Sequence, residues 1–236
     1  MAPRKSDKQG GRGGERALKV RLRTAKGRRI SSTRWLERQL NDPYVAAAKR
    51  DGYRSRAAYK LSEIADKYGL LHAGDAVVDL GAAPGGWSQV AAERVKSADG
   101  RGVVVAIDVS AMEAIAGVTI LHADFMADDA PSRIVGALGG KMADAVLSDM
   151  AAPATGHRHT DHLRIMALCE AALAFAHDIL APGGCFLCKA LQGGTERQLL
   201  DAMKRNFAVV RHVKPKASRA DSAELYVLAT GFRGSR

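Results

Sequence analysis

The 236-residue chain is poor in cysteine and has no long apolar run, and each scarcity excludes a class of protein. Its three cysteines are too few, and of the wrong parity, for a disulfide framework, which indicates a reducing compartment. No apolar stretch reaches the roughly 18 residues that a membrane-spanning helix requires. The first residues lead into no apolar segment, so a secretory signal is not expected. We therefore expect a cytoplasmic protein without a membrane partner.

A metal centre also has little support in the sequence. The pair Cys185-x-x-Cys188 has a spacing found in zinc and redox sites, but it lies inside an apolar run. Residues three apart on a strand face opposite sides, which favours two buried structural thiols. His157, His159 and His162 are close enough to bind zinc, with only Asp161 as a nearby acid. We predict no metal site, and a mobile substrate-side loop at the three histidines.

Acidic residues are scarce in the N-terminal quarter of the chain. Residues 1–60 contain 18 Lys and Arg but only 5 Asp and Glu, whereas residues 61–236 carry a net charge of −2. A net charge of +13 in one quarter attracts a polyanion, so we favour contact with RNA or DNA over a solvated tail. Residues 1–30, rich in Gly, Lys and Arg, are predicted to form a disordered basic arm. A mitochondrial transit peptide is a less favoured alternative.

One stretch, Val77 to Trp87, has the pattern of a buried strand, a glycine-rich turn and the start of a helix. Its glycines allow the backbone to approach a ligand closely. The spacing Gly81-x-x-x-Gly85-Gly86 fits neither the dinucleotide fingerprint nor a P-loop. The absence of Lys and Arg from the turn argues against a phosphate-rich ligand. A connection of no special function remains an alternative on this stretch alone.

The rest of the chain alternates strand-like and helix-like patterns. Seven strands are predicted, at 75–80, 103–107, 118–121, 144–148, 185–189, 207–213 and 225–229. Helices are predicted at 34–40 with an N-cap in Ser31–Thr33, and at 45–50, 54–64, 87–95, 163–180 and 196–205. This order predicts a mainly parallel sheet with helices on both faces and one antiparallel strand near the end.

Charged residues follow several of the predicted strands. Asp79, Asp108, Asp149 and Lys189 stand at or near strand ends, which predicts a polar pocket at one sheet edge. Asp108 is placed to accept hydrogen bonds from ribose hydroxyls, and Asp124 from an exocyclic amine. For either acid alone, a helix cap or a turn is an equally good interpretation.

The complete sequence of the glycine-rich turn is more informative about function than its glycines alone. The run Asp79-Leu80-Gly81-Ala82-Ala83-Pro84-Gly85-Gly86-Trp87-Ser88-Gln89 resembles the S-adenosylmethionine loop of the FtsJ/RrmJ family of ribose 2′-O-methyltransferases. About 200 residues share the resemblance, including Tyr53–Leu61, His122–Phe125, Ser148–Ala151 and Leu180–Gly184. One departure is Ala152–Gly156, where Pro-Asn-x-Ser-Gly is expected.

The resemblance implies a Rossmann-like α/β fold with a seven-stranded, mostly parallel sheet, and S-adenosylmethionine as cofactor. It implies a catalytic tetrad of Lys60, Asp149, Lys189 and Glu224. The implied cofactor-binding residues are Gly81, Ala83, Pro84, Gly85, Trp87, Asp108, Asp124 and Asp149. Lys189 would deprotonate the ribose hydroxyl or stabilise its oxyanion. Asp149 and Glu224 would orient it, and Lys60 would hold the hydroxyl or the adjacent phosphate.

The resemblance further implies that the substrate is a uridine in the A-loop of bacterial 23S rRNA, in an assembled large ribosomal subunit. We expect a monomer with three parts: the arm at 1–30, a basic helical extension at 31–60 and a methyltransferase domain at 61–236. A small-molecule methyltransferase would not need the basic extension, and a non-catalytic RNA-binding factor would not need the tetrad. Transfer RNA and messenger RNA caps are the alternative substrates.

Overall fold

The computed structural model describes residues 30–153, 155–191, 196–220 and 222–234. Most of the predicted basic arm therefore lies outside the described residues. The chain divides into two compact units after Ala46. In the first unit, the described residues begin with helix α1, Ile30–Leu40, and end within the first turn of helix α2, Pro43–Asp51.

The second unit is built on a seven-stranded sheet in the order β3-β2-β1-β4-β5-β7-β6. Its strands are β1 Ala76–Leu80, β2 Val103–Asp108, β3 Val118–His122, β4 Ala143–Ser148, β5 Leu180–Leu191, β6 Phe207–Val213 and β7 Glu224–Phe232. Strands β1 to β5 are parallel, and β7 runs antiparallel to both β5 and β6. The predicted α/β fold, with one antiparallel strand at the end, is confirmed.

Helices cover both faces of this sheet. They are α3 Ala57–Tyr68, α4 Gly86–Val95, α5 Ala130–Ala137, α6 Arg158–Ile179 and α7 Glu196–Asn206. Residues of α3 and α4 share one core cluster with the sheet, and residues of α5, α6 and α7 share the other. Alternate residues of the central strands enter opposite clusters, as Val77 and Val78 do, because successive side chains of a strand point to opposite faces.

Three local predictions are corrected by the structure. Helix α5 was not predicted, although Asp129 precedes it and Pro131 lies in its first turn. Residues Ser31–Thr33 lie within α1 rather than before it, since Ser and Thr cost a helix little. Strand β5 starts at Leu180 rather than at Cys185, and its pairing with β4 has an irregularity between Ala143 and Ala145.

The cysteines have the predicted structural character. Cys185 lies in the core cluster of α3 and α4, and Cys188 lies in the opposite cluster. Both thiols are free and buried, as is Cys169. Burial raises the pKa of the Cys185 thiol to about 12, so the thiol stays protonated at neutral pH. In the part of the chain that is described, no helix has the length and apolar character needed to cross a bilayer.

Candidate active site

A cavity of about 830 Å³ opens at the carboxyl-terminal edge of the parallel strands. The turn after β1, the segments after β2, β3 and β4, and one side of α6 surround it. It lies where open α/β sheets bind their ligands. Six of the predicted site residues line it: Gly81, Ala83, Asp108, Asp124, Asp149 and Lys189.

The turn after β1 is shaped by the main chain. Gly81 has a φ of +74°, and a Cβ atom there would lie 2.8 Å from the Cα of Met150. Only glycine fits this approach between the turn and the segment after β4. The backbone amides of Gly81 and Ala82 both donate to the carbonyl of Ile107, which ties the turn to β2. The turn after β1 is therefore held rigidly at one side of the cavity.

Asp108 joins two walls of the cavity. Its carboxylate accepts hydrogen bonds from the amide of Ala83, at 2.9 Å, and from the amide of Ser110, at 2.7 Å. Asp124 makes a similar turn contact, accepting from the amide of Met126 at 2.9 Å. A carboxylate oxygen has more than one acceptor site, so both acids can also bind a ligand.

Pro84, Gly85 and Trp87 are not among the residues that line this cavity. The indole of Trp87 is buried, donates to the carbonyl of Ala57 at 2.8 Å and lies against the ring of Tyr226. A Cβ at Gly85 would lie 2.7 Å from Ile115, which does not line the cavity either. A cofactor role for these three residues would fall to their main chain, and it stays a prediction.

Asp79 corrects the prediction that it would belong to the polar pocket. Its side chain is fully buried and does not line the cavity. One oxygen accepts from the Ser88 hydroxyl at 2.6 Å, and the other has no partner in the described residues. Burial, reinforced by the charges of Asp149 and Asp108, raises the pKa of Asp79 to about 7. Every residue of a strand covered on both faces is buried, which explains the error.

The raised pKa of Asp79 predicts a pH-dependent stability. Between its ordinary pKa of 3.8 and about 7, the folded protein keeps a proton that the unfolded chain has lost. The resulting stabilisation is complete below pH 3.8 and is lost as the pH rises through 7, by roughly 4 kcal/mol at most. Asp79→Asn should make the unfolding free energy, measured in urea, flatter across this range. The partly buried Asp75, which precedes β1, offers a matched control in Asp75→Asn. An equal pH dependence in wild type and Asp79→Asn would refute the assignment.

The tetrad predicted by the resemblance comes together as two ion pairs. Lys189 Nζ lies 3.0 Å from Asp149 Oδ1, and it also donates to the Asp149 carbonyl at 2.7 Å. Lys60 Nζ lies 2.7 Å from Glu224 Oε1. All four side chains are less than one fifth exposed. Burial alone would raise the pKa of Glu224, but the charge of Lys60 and its hydrogen bond outweigh it and lower that pKa.

Tyr226, which the sequence analysis missed, connects the two pairs. Its hydroxyl accepts from Lys60 Nζ at 3.2 Å and donates to Asp149 Oδ1 at 2.9 Å. Burial, together with the neighbouring carboxylates, holds the pKa of Tyr226 well above its usual value, so the hydroxyl keeps its proton. A continuous chain of hydrogen bonds thus runs from Glu224 to Lys189 beside the cavity. The sequence contained one indication of this role: Tyr226 lies two residues after Glu224, so both side chains are on one face of β7.

The segment after β4 lacks the family sequence expected at Ala152–Gly156, but it still lines the cavity. Ala152 and Pro153 line it, and Ala154 lies outside the described residues. Thr155 donates to the carboxylate of Asp161 through its amide, at 2.7 Å, and through its hydroxyl, at 2.6 Å. Asp161, the acid near the three histidines, is therefore occupied by hydrogen bonds at the start of α6. These hydrogen bonds lower the pKa of Asp161. The predicted loop at these histidines is wrong for His159 and His162, which lie in α6.

Comparison with known proteins places this geometry in a family. The model of the FtsJ-like methyltransferase family matches residues 53–232. A ribosomal RNA large subunit methyltransferase E of Parvibaculum lavamentivorans is 62% identical over 233 residues, covering 96% of this chain and 91% of that protein. The protein of the same name from Bradyrhizobium diazoefficiens is 63% identical over 217 residues, covering 92% and 95%.

Solved structures agree with the sequence relatives. A crystal structure of a candidate ribosomal RNA methyltransferase from Plasmodium falciparum is 30% identical, with a TM-score of 0.69, and covers 78% of this chain and 100% of that one. An S-adenosylmethionine-dependent O-methyltransferase from Thermotoga maritima shares the fold at 18% identity, with a TM-score of 0.50 over 75% and 65% of the two chains. The chain is an S-adenosylmethionine-dependent methyltransferase and belongs to the FtsJ-like methyltransferase family.

Proposed function

We propose that the enzyme transfers a methyl group from S-adenosylmethionine to the ribose 2′-oxygen of a uridine in the A-loop of 23S rRNA, within the large ribosomal subunit. The observation that carries this proposal is the chain of ion pairs at the cavity edge, with Lys189 and Asp149 at its cavity end. The names of the relatives from Parvibaculum and Bradyrhizobium support ribosomal RNA as the substrate class.

The cavity residues suit the proposed role in binding this cofactor. Asp108 offers acceptors to the ribose hydroxyls, and Asp124 offers one to the adenine amine. Val109 and Met126 line the same cavity with exposed apolar side chains that a purine face would cover. The close approach of Gly81 to Met150 leaves a narrow turn, and the carboxylates of Asp108 and Asp149, which line the cavity, suit a cationic ligand.

The reaction needs little beyond alignment and removal of one proton, because the cofactor supplies a methyl group already activated on a sulfonium. Lys189 is held by the carboxylate and the carbonyl of Asp149, so its ammonium or amine group has a defined direction. In that position it can accept the proton of the 2′-hydroxyl or stabilise the oxyanion. Tyr226 and Glu224 hold Lys60, which we assign to the ribose or to the adjacent phosphate.

A basic loop next to the tetrad is suited to RNA phosphates. The amides of Lys216 and Ala217 donate to the carboxylate of Glu63 on α3, at 2.6 and 3.4 Å. Ser218 donates to Glu224 Oε1 at 2.9 Å. The loop that carries Lys214, Lys216 and Arg219 is therefore fixed to α3, the helix of Lys60, and to Glu224. We propose that it positions the RNA backbone over the cavity.

We also propose that the chain acts as a monomer with three parts: the arm 1–30, the extension 31–60 and the catalytic domain 61–236. The cavity and both ion pairs come from one chain.

Deleting residues 1–30 should weaken RNA binding about tenfold or more and reduce its dependence on salt. Each lost phosphate contact lowers the slope of the logarithm of the binding constant against the logarithm of the salt concentration by about 0.7–0.9. Cofactor affinity should be unchanged. Filter binding at several salt concentrations tests this, and an unchanged slope would make the arm a solubility tail.

The substrate is tested by labelled methyl transfer. Purified large subunits, naked 23S rRNA, transfer RNA and capped messenger RNA should be compared, with the modified nucleotide mapped by mass spectrometry. We expect labelling of one A-loop uridine, at its ribose, in large subunits. A label on a base, or on another RNA, would contradict the proposed target, and label on a small molecule alone would contradict the substrate class.

A further inference from the structure

Arg54, in the bend before α3, holds together three segments of the catalytic unit. Its guanidinium donates to the carbonyls of Glu113 and Ala114, at 2.8 and 2.7 Å. A longer contact of 3.4 Å reaches the carbonyl of Pro84 in the turn after β1. The backbone amide of Arg54 donates to Gln89 Oε1 on α4 at 2.8 Å. The arginine thus spans the turn, the helix that follows it and the connection between β2 and β3.

The other attachments of the connection between β2 and β3 lie near its two ends, where the Val109 carbonyl is 2.9 Å from His122 Nε2 and Gly117 packs against Ser97 and Ala98. Residues 109–117 contain no helix or strand, and Glu113 and Ala114 are exposed. The connection nevertheless starts at the cavity wall, since Val109 and Ser110 line it beside Asp108. A charged guanidinium that donates to two successive carbonyls gives a strong and well-directed attachment.

The turn after β1 is shaped to receive this attachment. A Cβ at Gly85 would lie 3.3 Å from Arg54 Cδ and 2.7 Å from Ile115 Cδ1, so the absence of a side chain lets both groups pack on the turn. Gly85 has a φ of +108°, which other residues adopt only with strain. The glycine predicted to contact the cofactor therefore has a second use, as the packing site for Arg54 and Ile115.

We infer that Arg54 is a positioning residue for the cofactor: it fixes the two cavity walls, the turn after β1 and the segment that follows Asp108, against each other. Asp108 bridges the same two walls from inside the cavity through Ala83 and Ser110. Arg54 bridges them from outside. The inference deepens the proposed function at the cofactor cavity and does not depend on which RNA is methylated.

A contact with an RNA phosphate is the competing role for an arginine in a basic segment. The two roles differ in what a lysine can replace. A phosphate contact needs a positive charge, which Lys supplies, whereas two carbonyls need the fixed fork of a guanidinium. The geometry favours the second role, because the donors of Arg54 are already directed at main-chain carbonyls.

Calorimetry with S-adenosylmethionine on the full chain separates these roles without any RNA. Arg54→Met and Arg54→Lys should both weaken cofactor binding about tenfold, a change equivalent to roughly one charge-assisted hydrogen bond. Arg50→Met is the matched control, because Arg50 is exposed and pairs only with its neighbour Asp51 in the contacts described. It should bind the cofactor like wild type. Thermal unfolding of each variant checks that the fold is retained.

Two further measurements complete the test. Hydrogen exchange of the peptide covering residues 109–117 should be faster in both Arg54 variants, and the apparent KM for the cofactor should rise while turnover at saturating cofactor changes little. Unchanged cofactor affinity in Arg54→Met would overturn the inference. So would weakened RNA binding in Arg54→Met that Arg54→Lys restores, with cofactor binding intact, because that pattern identifies a phosphate contact.

Discussion

Lys189→Ala is expected to reduce the rate of methyl transfer by about 10²–10⁴-fold, the usual loss when general-base assistance is removed. The substitution removes the amine nearest the cavity, while Asp108, Asp124 and the turn after β1 keep their mutual contacts. Cofactor affinity should therefore stay close to that of wild type. The measurements are single-turnover methylation of saturating large subunits and calorimetry with the cofactor.

Lys189→Arg distinguishes the two roles open to this residue. An arginine stays protonated and cannot accept a proton, so it should rescue little if Lys189 is the base. If the residue only supplies positive charge to the developing oxyanion, arginine should restore much of the rate. Near-normal turnover in Lys189→Ala would instead remove Lys189 from the chemical step. The tetrad would then serve to position the RNA.

Tyr226→Phe is expected to lower turnover by about 10–100-fold with little change in cofactor affinity. The substitution keeps the ring against Trp87 and removes only the hydroxyl that joins Lys60 to Asp149. A hydrogen bond to a charged group contributes roughly 1.5–3 kcal/mol, and its loss frees both ion pairs to move. The loss of rate should persist when RNA is saturating, because the defect lies in orientation rather than in binding.

Tyr68→Phe provides the control for this substitution. Tyr68 packs against the same core cluster, and its ring interacts with Lys67 and Arg211 rather than with the tetrad. The substitution Tyr68→Phe should leave turnover unchanged. If Tyr226→Phe is as active as Tyr68→Phe, then the two ion pairs act independently and the hydroxyl has no part in the reaction.

The fold was predictable from the sequence because its strands are short apolar runs separated by helical patterns. Strand β6 was predicted at the residues where it occurs, and β1 to β4 within one residue at each end, whereas β5 and β7 are longer than predicted. Helix α5 was missed because eight residues containing Pro131 and Gly136 give little periodic signal. The family resemblance, confirmed by the family match, supplied the cofactor.

The site was predictable where charge marks it and not where packing decides. Lys60, Asp149, Lys189 and Glu224 stand out as charged residues, and their proximity followed from the resemblance. Tyr226 did not stand out, since a tyrosine between Leu225 and Val227 has the pattern of an ordinary buried strand. Its role depends on the pairing of β7 with β5, in which it lies directly opposite Lys189. Neighbouring residues alone do not determine such a register.

The position of β7 has a consequence for how the enzyme is made. Of the seven strands described, β7 is synthesised last, yet it pairs with β5 on one side and β6 on the other. A growing chain that has not reached Glu224 has no partner for either facing edge, and exposed strand edges promote aggregation. Such a polypeptide also lacks Glu224 and Tyr226, the two partners of Lys60, which lies more than 160 positions earlier. Catalytic competence and completion of the sheet are thus reached together, when β7 takes its place between β5 and β6.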